Sequence, residues 1–308
     1  MLQHLANGVS LGSLYALIAI GYTMVYGILR LINFAHGDIF MMGAYFAFFG
    51  IAAFHLPWQA AFIGVILATT LLGMTIERTA YKPLRDAPKN SVLISAIGVS
   101  FLLENFATYV FSGKPKAFPE ITFFSQFISI GGIEVSFPWI NLNLNIPVVR
   151  VQVITFFIPV VTVIFLAILL YIINHTKLGM SMRAVSKDYE TASVMGIDVD
   201  RVITSTFAIG SSLAAIGAVM WGVKYPQVQP MMGVMPGLKC FIAAVVGGIG
   251  NVPGAVLGGF ILGMGEILLV ASLPSLTGYR DALAFILLIL ILLFRPTGIL
   301  GEKTTEKV

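Results

Sequence analysis

Three acidic side chains lie within or at the ends of otherwise apolar runs of this sequence: Asp38, Glu104 and Glu266. A charge at membrane depth costs about 2.5–3.5 kcal/mol on insertion scales, so such a residue usually faces a water-filled cavity or pairs with a partner. Asp38 is the strongest functional candidate of the three because His36 lies two positions before it; in a secondary transporter, any of the three could be a proton or sodium site. For Glu104 and Glu266, hydrogen bonding to neighbouring helices is an equal alternative.

Motifs for catalysis are absent from the sequence. There is no G-x-x-x-x-G-K-[ST] loop that would cradle phosphates, and no H-E-x-x-H or zinc-type His/Cys spacing. Residues 8–12 match the G-x-S-x-G pattern of serine hydrolases, but that motif needs a strand–turn–helix context and here it opens an apolar helix. We therefore expect no enzymatic activity, and no cofactor or metal bound by this chain.

Composition places the chain in the membrane. Hydrophobic residues make up 58% and charged residues 10% of 308 residues, and the mean hydropathy is +0.94. Because one span takes about 20 apolar residues, we predict one transmembrane domain over residues 1–308. It is an all-α polytopic bundle of eight or nine helices in the lipid bilayer, with broken or re-entrant segments. The predicted spans are Leu5–Leu29, Gly37–Phe54, Trp58–Ile76, Val92–Phe111, Val151–Ile173, Val202–Val223, Leu238–Gly250, Gly254–Ala271 and Ala282–Phe294.

The positions of Lys and Arg predict the orientation. With nine spans, twelve of these 18 residues fall on the side of the 77–90 loop, the 174–201 loop and the C-terminal tail. The other six, including Lys239 and Arg280, fall on the opposite side. Since positive charge collects on the cytoplasmic side, the N-terminus should face outward and the C-terminus should face the cytoplasm. The sequence contains no basic tract of the kind that binds nucleic acid.

Two polar or glycine-rich breaks interrupt the apolar pattern, at residues 27–43 and 245–259. Unmade helical hydrogen bonds at membrane depth are tolerated only against protein or a water-filled cavity, and paired breaks point to a transport pathway. The candidate pathway residues are Asn33, His36, Asp38, Gly247 and Gly250. Close helix packing through the small residues of the second break is the alternative, and the two interpretations are compatible.

The outward loop at residues 113–150 contains FISIGGIEVSF, which alternates apolar and polar residues around Gly131–Gly132. A Gly-Gly pair can supply the positive φ of a tight turn, so we predict a β-hairpin turning there. This small periplasmic β ornament either caps the bundle or offers a docking surface for an external partner.

The most polar segment runs from Asn174 to Arg201. Within it, residues 188–195 can form two short helical turns that Gly196 would end in a left-handed conformation. A short rigid helix lying along the membrane could pass the movement of a soluble partner to the connected spans.

Glu190, Ala192 and Gly196 match the E-A-A-x-x-x-G pattern of ABC importer permeases, with Thr191 in place of the middle alanine. Longer segments resemble, in order, the LivH-type permease of branched-chain amino acid ABC importers. They include LGSLYALIAIGYTMVYGILRLINFAHGDIFMMGAY, KCFIAAVVGGIGNVPGAVLGGFILG and RPTGILGE. The likeness runs from about Leu11 to Gly301. Urea and amide importers carry similar NFAHG segments, so a related substrate is an alternative to leucine, isoleucine or valine.

The resemblance implies a bacterial inner-membrane subunit that pairs with a second, LivM-type permease. Two ATP-binding subunits, which would hold ATP and Mg²⁺, and a periplasmic substrate-binding protein would complete the importer. The residues expected to couple to the ATPases are Arg183, Asp188, Glu190, Ala192 and Gly196. An ion-coupled secondary transporter, a passive channel and a purely structural membrane subunit are the rival interpretations.

Overall fold

The computed structural model describes residues 2–85, 87–130, 133–137, 142–146 and 149–301. Helices dominate them: α1 (Leu2–Leu29), α2 (His36–Ala52), α3 (Trp58–Ile76), α4 (Lys89–Phe111), α5 (Thr122–Ser125), α6 (Val153–His175), α7 (Lys177–Lys187), α8 (Tyr189–Val194), α9 (Val199–Lys224), α10 (Val234–Gly247), α11 (Val252–Ser272) and α12 (Arg280–Phe294). A π-helical turn (Glu77–Tyr81) and a 3₁₀ turn (Lys82–Leu84) follow α3, and a second 3₁₀ turn (Pro274–Tyr279) precedes α12.

The polytopic helical class is confirmed. Seven helical segments in the described part of the chain are long and apolar enough to cross a membrane, and α10 is a shorter apolar helix. The 17-residue α2 coincides with the remaining predicted span. Every predicted span matches a helix, and the bounds of α3 agree at both ends. The largest shift is at α10, which begins four residues before its predicted start and ends at Gly247, three residues before its predicted end.

Helix α1 forms the centre of the bundle and packs against α6, α9, α10 and α11. In its most apolar 18-residue window 94% of residues are buried, against 6% in the window that contains α12. A Cβ added at Gly259 would collide with the backbone of Ala16, and one at Gly263 with the backbone of Gly12. The small residues therefore let α1 and α11 approach to backbone contact, which confirms the packing role of this glycine stripe.

The predicted β ornament is present, but the strands on either side of Gly131–Gly132 do not pair with each other. Strand β2 (Phe127–Ile130) pairs antiparallel with β5 (Val149–Gln152), and β3 (Ile133–Phe137) pairs with β4 (Leu142–Ile146). Strands β2 and β3 thus pair with different downstream strands and not with each other, so the prediction of a hairpin between them is wrong. The two glycines lie outside the described residues. Pairing with the downstream strands decides the register, a long-range choice that a local Gly-Gly signal cannot make.

A second strand pair ties the outer loop to the bundle. Strand β1 (Lys116–Ala117), which follows α4, pairs antiparallel with β6 (Gln227–Val228), which follows α9. Phe118, directly after β1, is buried, and a Cβ added at Gly222 of α9 would collide with its ring. The loop is therefore anchored at its first residues to the end of α9.

Candidate functional site

Helix α8 forms where the sequence predicts it. Asp188 is its N-cap and accepts hydrogen bonds from the backbone N–H groups of Glu190 (2.9 Å) and Thr191 (3.1 Å) and from the Thr191 hydroxyl (2.6 Å). Gly196 follows the helix with φ +81°, the left-handed conformation that favours glycine. Both ends of this six-residue helix are thus specified by local residues, which makes it a rigid element.

The helix before it, α7, was not predicted. Thr176 caps its start by accepting a hydrogen bond from the Gly179 N–H at 3.1 Å. Arg183 donates to the carbonyl of Ile173 near the end of α6, and a Cβ at Gly179 would collide with that same carbonyl. Helix α7 therefore folds back against the end of α6, and α8 follows it and packs against α7 and α9. The apolar Met182 and Val185, three residues apart and buried, were the available signal.

The five predicted coupling residues have different surroundings. Ala192 is buried, whereas Arg183 and Glu190 are exposed, Asp188 caps α8 and Gly196 ends it. The end of α8 is apolar and open, because Val194 is 86% exposed and Met195 is 77% exposed. Two adjacent apolar side chains at the tip of a rigid surface helix are suited to contact another protein.

A cavity of about 980 Å³ lies between α8 and the ends of three spans. It is lined by the last residues of α1, the turn after α3, the α7–α8 junction and the start of α9. Charged residues of both signs face it: Arg30, Lys82, Arg85, Lys187, Asp188, Glu190 and Asp200. Six of these seven lie in the 77–90 and 174–201 loops, which the charge bias assigned to the same membrane side.

An ion-pair network forms one wall of this cavity. Arg85 donates to both Glu77 and Asp200, and Lys82 lies 2.6 Å from the Asp200 carboxylate. Glu77 is fully buried and also accepts a hydrogen bond from the Thr204 hydroxyl at 2.8 Å. The network joins the π-helical turn after α3 to the start of α9. Sequence reasoning missed Glu77 because its partners lie eight and 127 residues away.

The first break spans residues 30–35 between α1 and α2. Asn33 within it, and His36 and Asp38 in the first turn of α2, are buried. Asn33 accepts a hydrogen bond from the Tyr81 hydroxyl at 2.6 Å, and Asp38 accepts one from the Ser100 hydroxyl at 2.5 Å. His36 packs edge-on against Tyr22, with ring centroids 5.0 Å apart. The side chains of the three predicted pathway residues thus contact three different elements, while the His36 backbone N–H donates to the Asn33 carbonyl at 3.2 Å.

Each of these three side chains retains one buried polar atom without a hydrogen-bond partner among the described residues. These atoms are Asn33 Nδ2, His36 Nε2 and Asp38 Oδ1. A buried unsatisfied polar group costs about 1–3 kcal/mol, so three of them in one short segment are a notable concentration. Such groups remain able to bind water or a polar ligand.

The second break lies at residues 248–251, between α10 and α11. Gly248 and Gly250 have φ values of +115° and +90°. Asn251 caps α11 by accepting from the Gly254 N–H at 2.9 Å, and the Gly247 carbonyl accepts from the Leu300 N–H at 2.8 Å. A segment near the C-terminus thus satisfies the end of α10.

The two breaks adjoin through their glycines. A Cβ added at Gly27 in the last turn of α1 would lie 3.5 Å from the Gly250 Cα. Gly247 packs against the backbone of Gly254, so it serves close helix packing. Gly250 is exposed at the surface of this chain.

A buried cluster of charged residues lies near the start of α12, and it was not predicted from the sequence. Lys239 of α10 lies 2.9 Å from the Glu266 carboxylate of α11 and 2.7 Å from that of Asp281. Arg280 lies 3.2 Å from Glu266, and the Tyr15 hydroxyl of α1 donates to Glu266 at 3.2 Å. Lys239 and Glu266 are 5% and 0% exposed. This confirms the interpretation that Glu266 pairs with neighbouring helices. Lys239 had been counted among the opposite-side charges, at the start of the predicted span Leu238–Gly250, and not as a partner of Glu266.

Sequence comparisons agree on one family. A family model described as "Branched-chain amino acid transport system / permease component" matches residues 4–292. The chain is 43% identical to the high-affinity branched-chain amino acid transport system permease protein LivH of Salmonella typhimurium, with 100% of this chain and 97% of that protein covered. It is 42% identical to the corresponding protein BraD of Pseudomonas aeruginosa, with coverage of 100% and 98%. The chain therefore belongs to the family of permease components of branched-chain amino acid transport systems.

Proposed function

We propose that this chain translocates branched-chain amino acids across the bacterial inner membrane as one permease subunit of an ABC importer. A second, LivM-type permease, two ATP-binding subunits and a periplasmic binding protein complete the assembly. The full-length relatives, whose names specify branched-chain amino acid transport, support this substrate class. A related substrate such as urea, an amide or another amino acid is the alternative.

The proposed orientation places the N-terminus in the periplasm and the C-terminus in the cytoplasm. Lys224 lies 3.4 Å from Asn7 near the start of α1, whereas Arg30 follows the end of that helix. The 28 residues of α1 span about 42 Å at 1.5 Å per residue. Lys224, one of the opposite-side charges, and the cavity-lining charges are thus separated by about the thickness of a bilayer, in support of the charge-bias argument.

Helix α8 is the proposed contact to the ATP-binding subunit, and its exposed tip is the observation that carries the proposal. Val194 and Met195 would enter a cleft on that subunit, while Arg183 and Glu190 would make polar contacts at the rim. ATP and Mg²⁺ would be held by the partner, with no cofactor on this chain. Closure of the ATPase pair would then pull α8 and change the arrangement of the spans.

The two breaks are the proposed translocation pathway. A zwitterionic amino acid needs a path that is mostly apolar yet offers dipoles to its ammonium and carboxylate groups. The unsatisfied atoms of Asn33, His36 and Asp38 could meet those groups, and the glycines Gly247 and Gly250 would bring backbone close to the path. High affinity would reside in the binding protein. Alanine at Asn33 or His36 should therefore lower the maximal uptake rate more than it changes the apparent affinity.

Reconstituted transport tests the proposal. This chain is co-expressed with its partner subunits and placed in liposomes, and radiolabelled leucine uptake is followed with and without ATP. Gly196→Val forces a β-branched residue into positive φ, and uptake and co-purification of the ATPase should both be lost. Gly98→Val is the matched control because a Cβ there meets nothing within 4 Å. Uptake driven by an ion gradient without ATP would instead establish a secondary transporter.

A further inference from the structure

Two side-chain-to-backbone hydrogen bonds join α8 and its neighbour α7 to the end of α1. The Tyr189 hydroxyl in the first turn of α8 donates to the carbonyl of Ile28. In the opposite direction, the Arg30 guanidinium Nη2 donates to the carbonyl of Ser186, at 3.1 Å. Neither contact follows from the sequence, since the partners are 161 and 156 residues apart.

Both accepting carbonyls belong to the last turn of a helix. Carbonyl groups there have no partner within their own helix and need one from elsewhere. Ile28 lies in the last turn of α1 and Ser186 in the last turn of α7. Each helix end is therefore capped by a side chain that comes from the other segment.

The backbone conformation of Arg30 supports a role for its side chain in the contact with Ser186. Arg30 ends α1 with φ +52°, a conformation that favours glycine and that long side chains adopt rarely. A glycine would relieve this conformation but would remove the contact to Ser186.

Tyr189 is suited to act as the donor on the other side. Burial raises the pKa of its hydroxyl, and the nearby Arg30 and Arg85 act in the opposite direction. The hydroxyl thus remains protonated near neutral pH, where it can donate to Ile28.

The contact leads directly into the first break. Arg30 is the first residue after α1, and three residues later Asn33 accepts the hydrogen bond of Tyr81. A displacement of α8 would therefore move the end of α1 and the break attached to it.

We propose that Tyr189 and Arg30 form a reciprocal helix cap that transmits movement of α8 to the first break. Both act as positioning residues, because neither needs to touch the substrate. The inference rests on the proposed function, since it assigns α8 the role of the moving contact.

The test uses the complete importer in liposomes, with leucine uptake and ATP hydrolysis measured on the same preparation. Tyr189→Phe removes only the hydroxyl. Loss of one hydrogen bond corresponds to about a two- to tenfold change in an equilibrium constant, so leucine transported per ATP hydrolysed should fall about two- to tenfold. The ATPase should still co-purify, and the apparent affinity for loaded binding protein should not change. Tyr109→Phe is the matched control, because that ring is 90% exposed on α4.

A second variant separates coupling from folding. Arg30→Gly relieves the positive φ, so the protein should remain at least as stable as wild type while uptake per ATP falls. His55→Gly is its control, because His55 is exposed and has the same φ of +52°.

Three outcomes are decisive. Unchanged uptake per ATP in both Tyr189→Phe and Arg30→Gly would overturn the inference. Loss of the ATPase from Tyr189→Phe would also overturn it, since Tyr189 would then be a docking residue. If liposomes that contain the wild-type importer show no ATP-dependent uptake, the proposed function itself is wrong. This outcome is visible without either variant.

Discussion

Removal of either partner of the Lys239–Glu266 pair should destabilise the protein strongly. Breaking a buried ion pair costs about 3–5 kcal/mol because it leaves a charge without compensation. Here the remaining groups keep partial compensation. Without Lys239, Glu266 still has Arg280 and the Tyr15 hydroxyl; without Glu266, Lys239 still has Asp281 at 2.7 Å. We therefore expect the lower end, about 3 kcal/mol, for Lys239→Met or Glu266→Gln.

Thermal unfolding in lipid nanodiscs measures this effect. At about 2–4 °C per kcal/mol, each single variant should lower the midpoint by about 6–12 °C. The double variant should lose less than the sum of the two, because the residues are in contact and the first change already breaks their pair. Arg201→Met is the control, since Arg201 pairs with Asp198 while its own side chain is 87% exposed, and such surface pairs contribute little. Single variants that unfold within 1 °C of wild type, or strictly additive effects, would refute this reasoning.

Three further outcomes are expected. Asp188→Ala removes the N-cap of α8, worth about 0.5–2 kcal/mol, and should speed hydrogen exchange at the first amides of that helix; unchanged exchange would contradict the capping role. Gly263→Ala should abolish folded, membrane-inserted protein because a Cβ there collides with the backbone of Gly12, whereas Gly98→Ala should be tolerated; normal yield of both would argue against close α1–α11 packing. Because burial raises the pKa of Tyr189 above its usual value near 10, its contribution to stability is present below that value and is lost only as the pH rises through the folded pKa. Uptake by wild type and Tyr189→Phe should therefore vary in parallel between about pH 7 and 9, and a divergence in that range would contradict it.

The membrane spans and helix α8 could be read from the sequence because their signals are local. A span needs about 20 apolar residues in a row whatever surrounds it, so the predicted Trp58–Ile76 and the observed α3 agree. Helix α8 begins at a side chain that caps its own first amides and ends at a glycine with positive φ. Those interactions join residues within one or two helical turns, where the number of residues between two groups fixes the distance between them.

The pairing of distant segments needed the tertiary structure. Lys239 and Glu266 were each recognised as charged, but their contact depends on how α10 and α11 are rotated against each other. The prediction of a hairpin at Gly131–Gly132 was wrong for a related reason. Strand register depends on the partner strand, which lies farther along the chain.

The sequence by itself determined the helical membrane class, the positions of nine apolar helices in the described part of the chain to within four residues, and the short helix α8 that ends before Gly196. It also placed glycine and polar breaks at the ends of α1 and α10. Only the tertiary structure decided that α1 is central, that Glu77 and Glu266 are paired, and that Tyr189 caps α1. The physical reason is that insertion and capping depend on residues close in the chain, whereas these contacts depend on helix rotation and close approach.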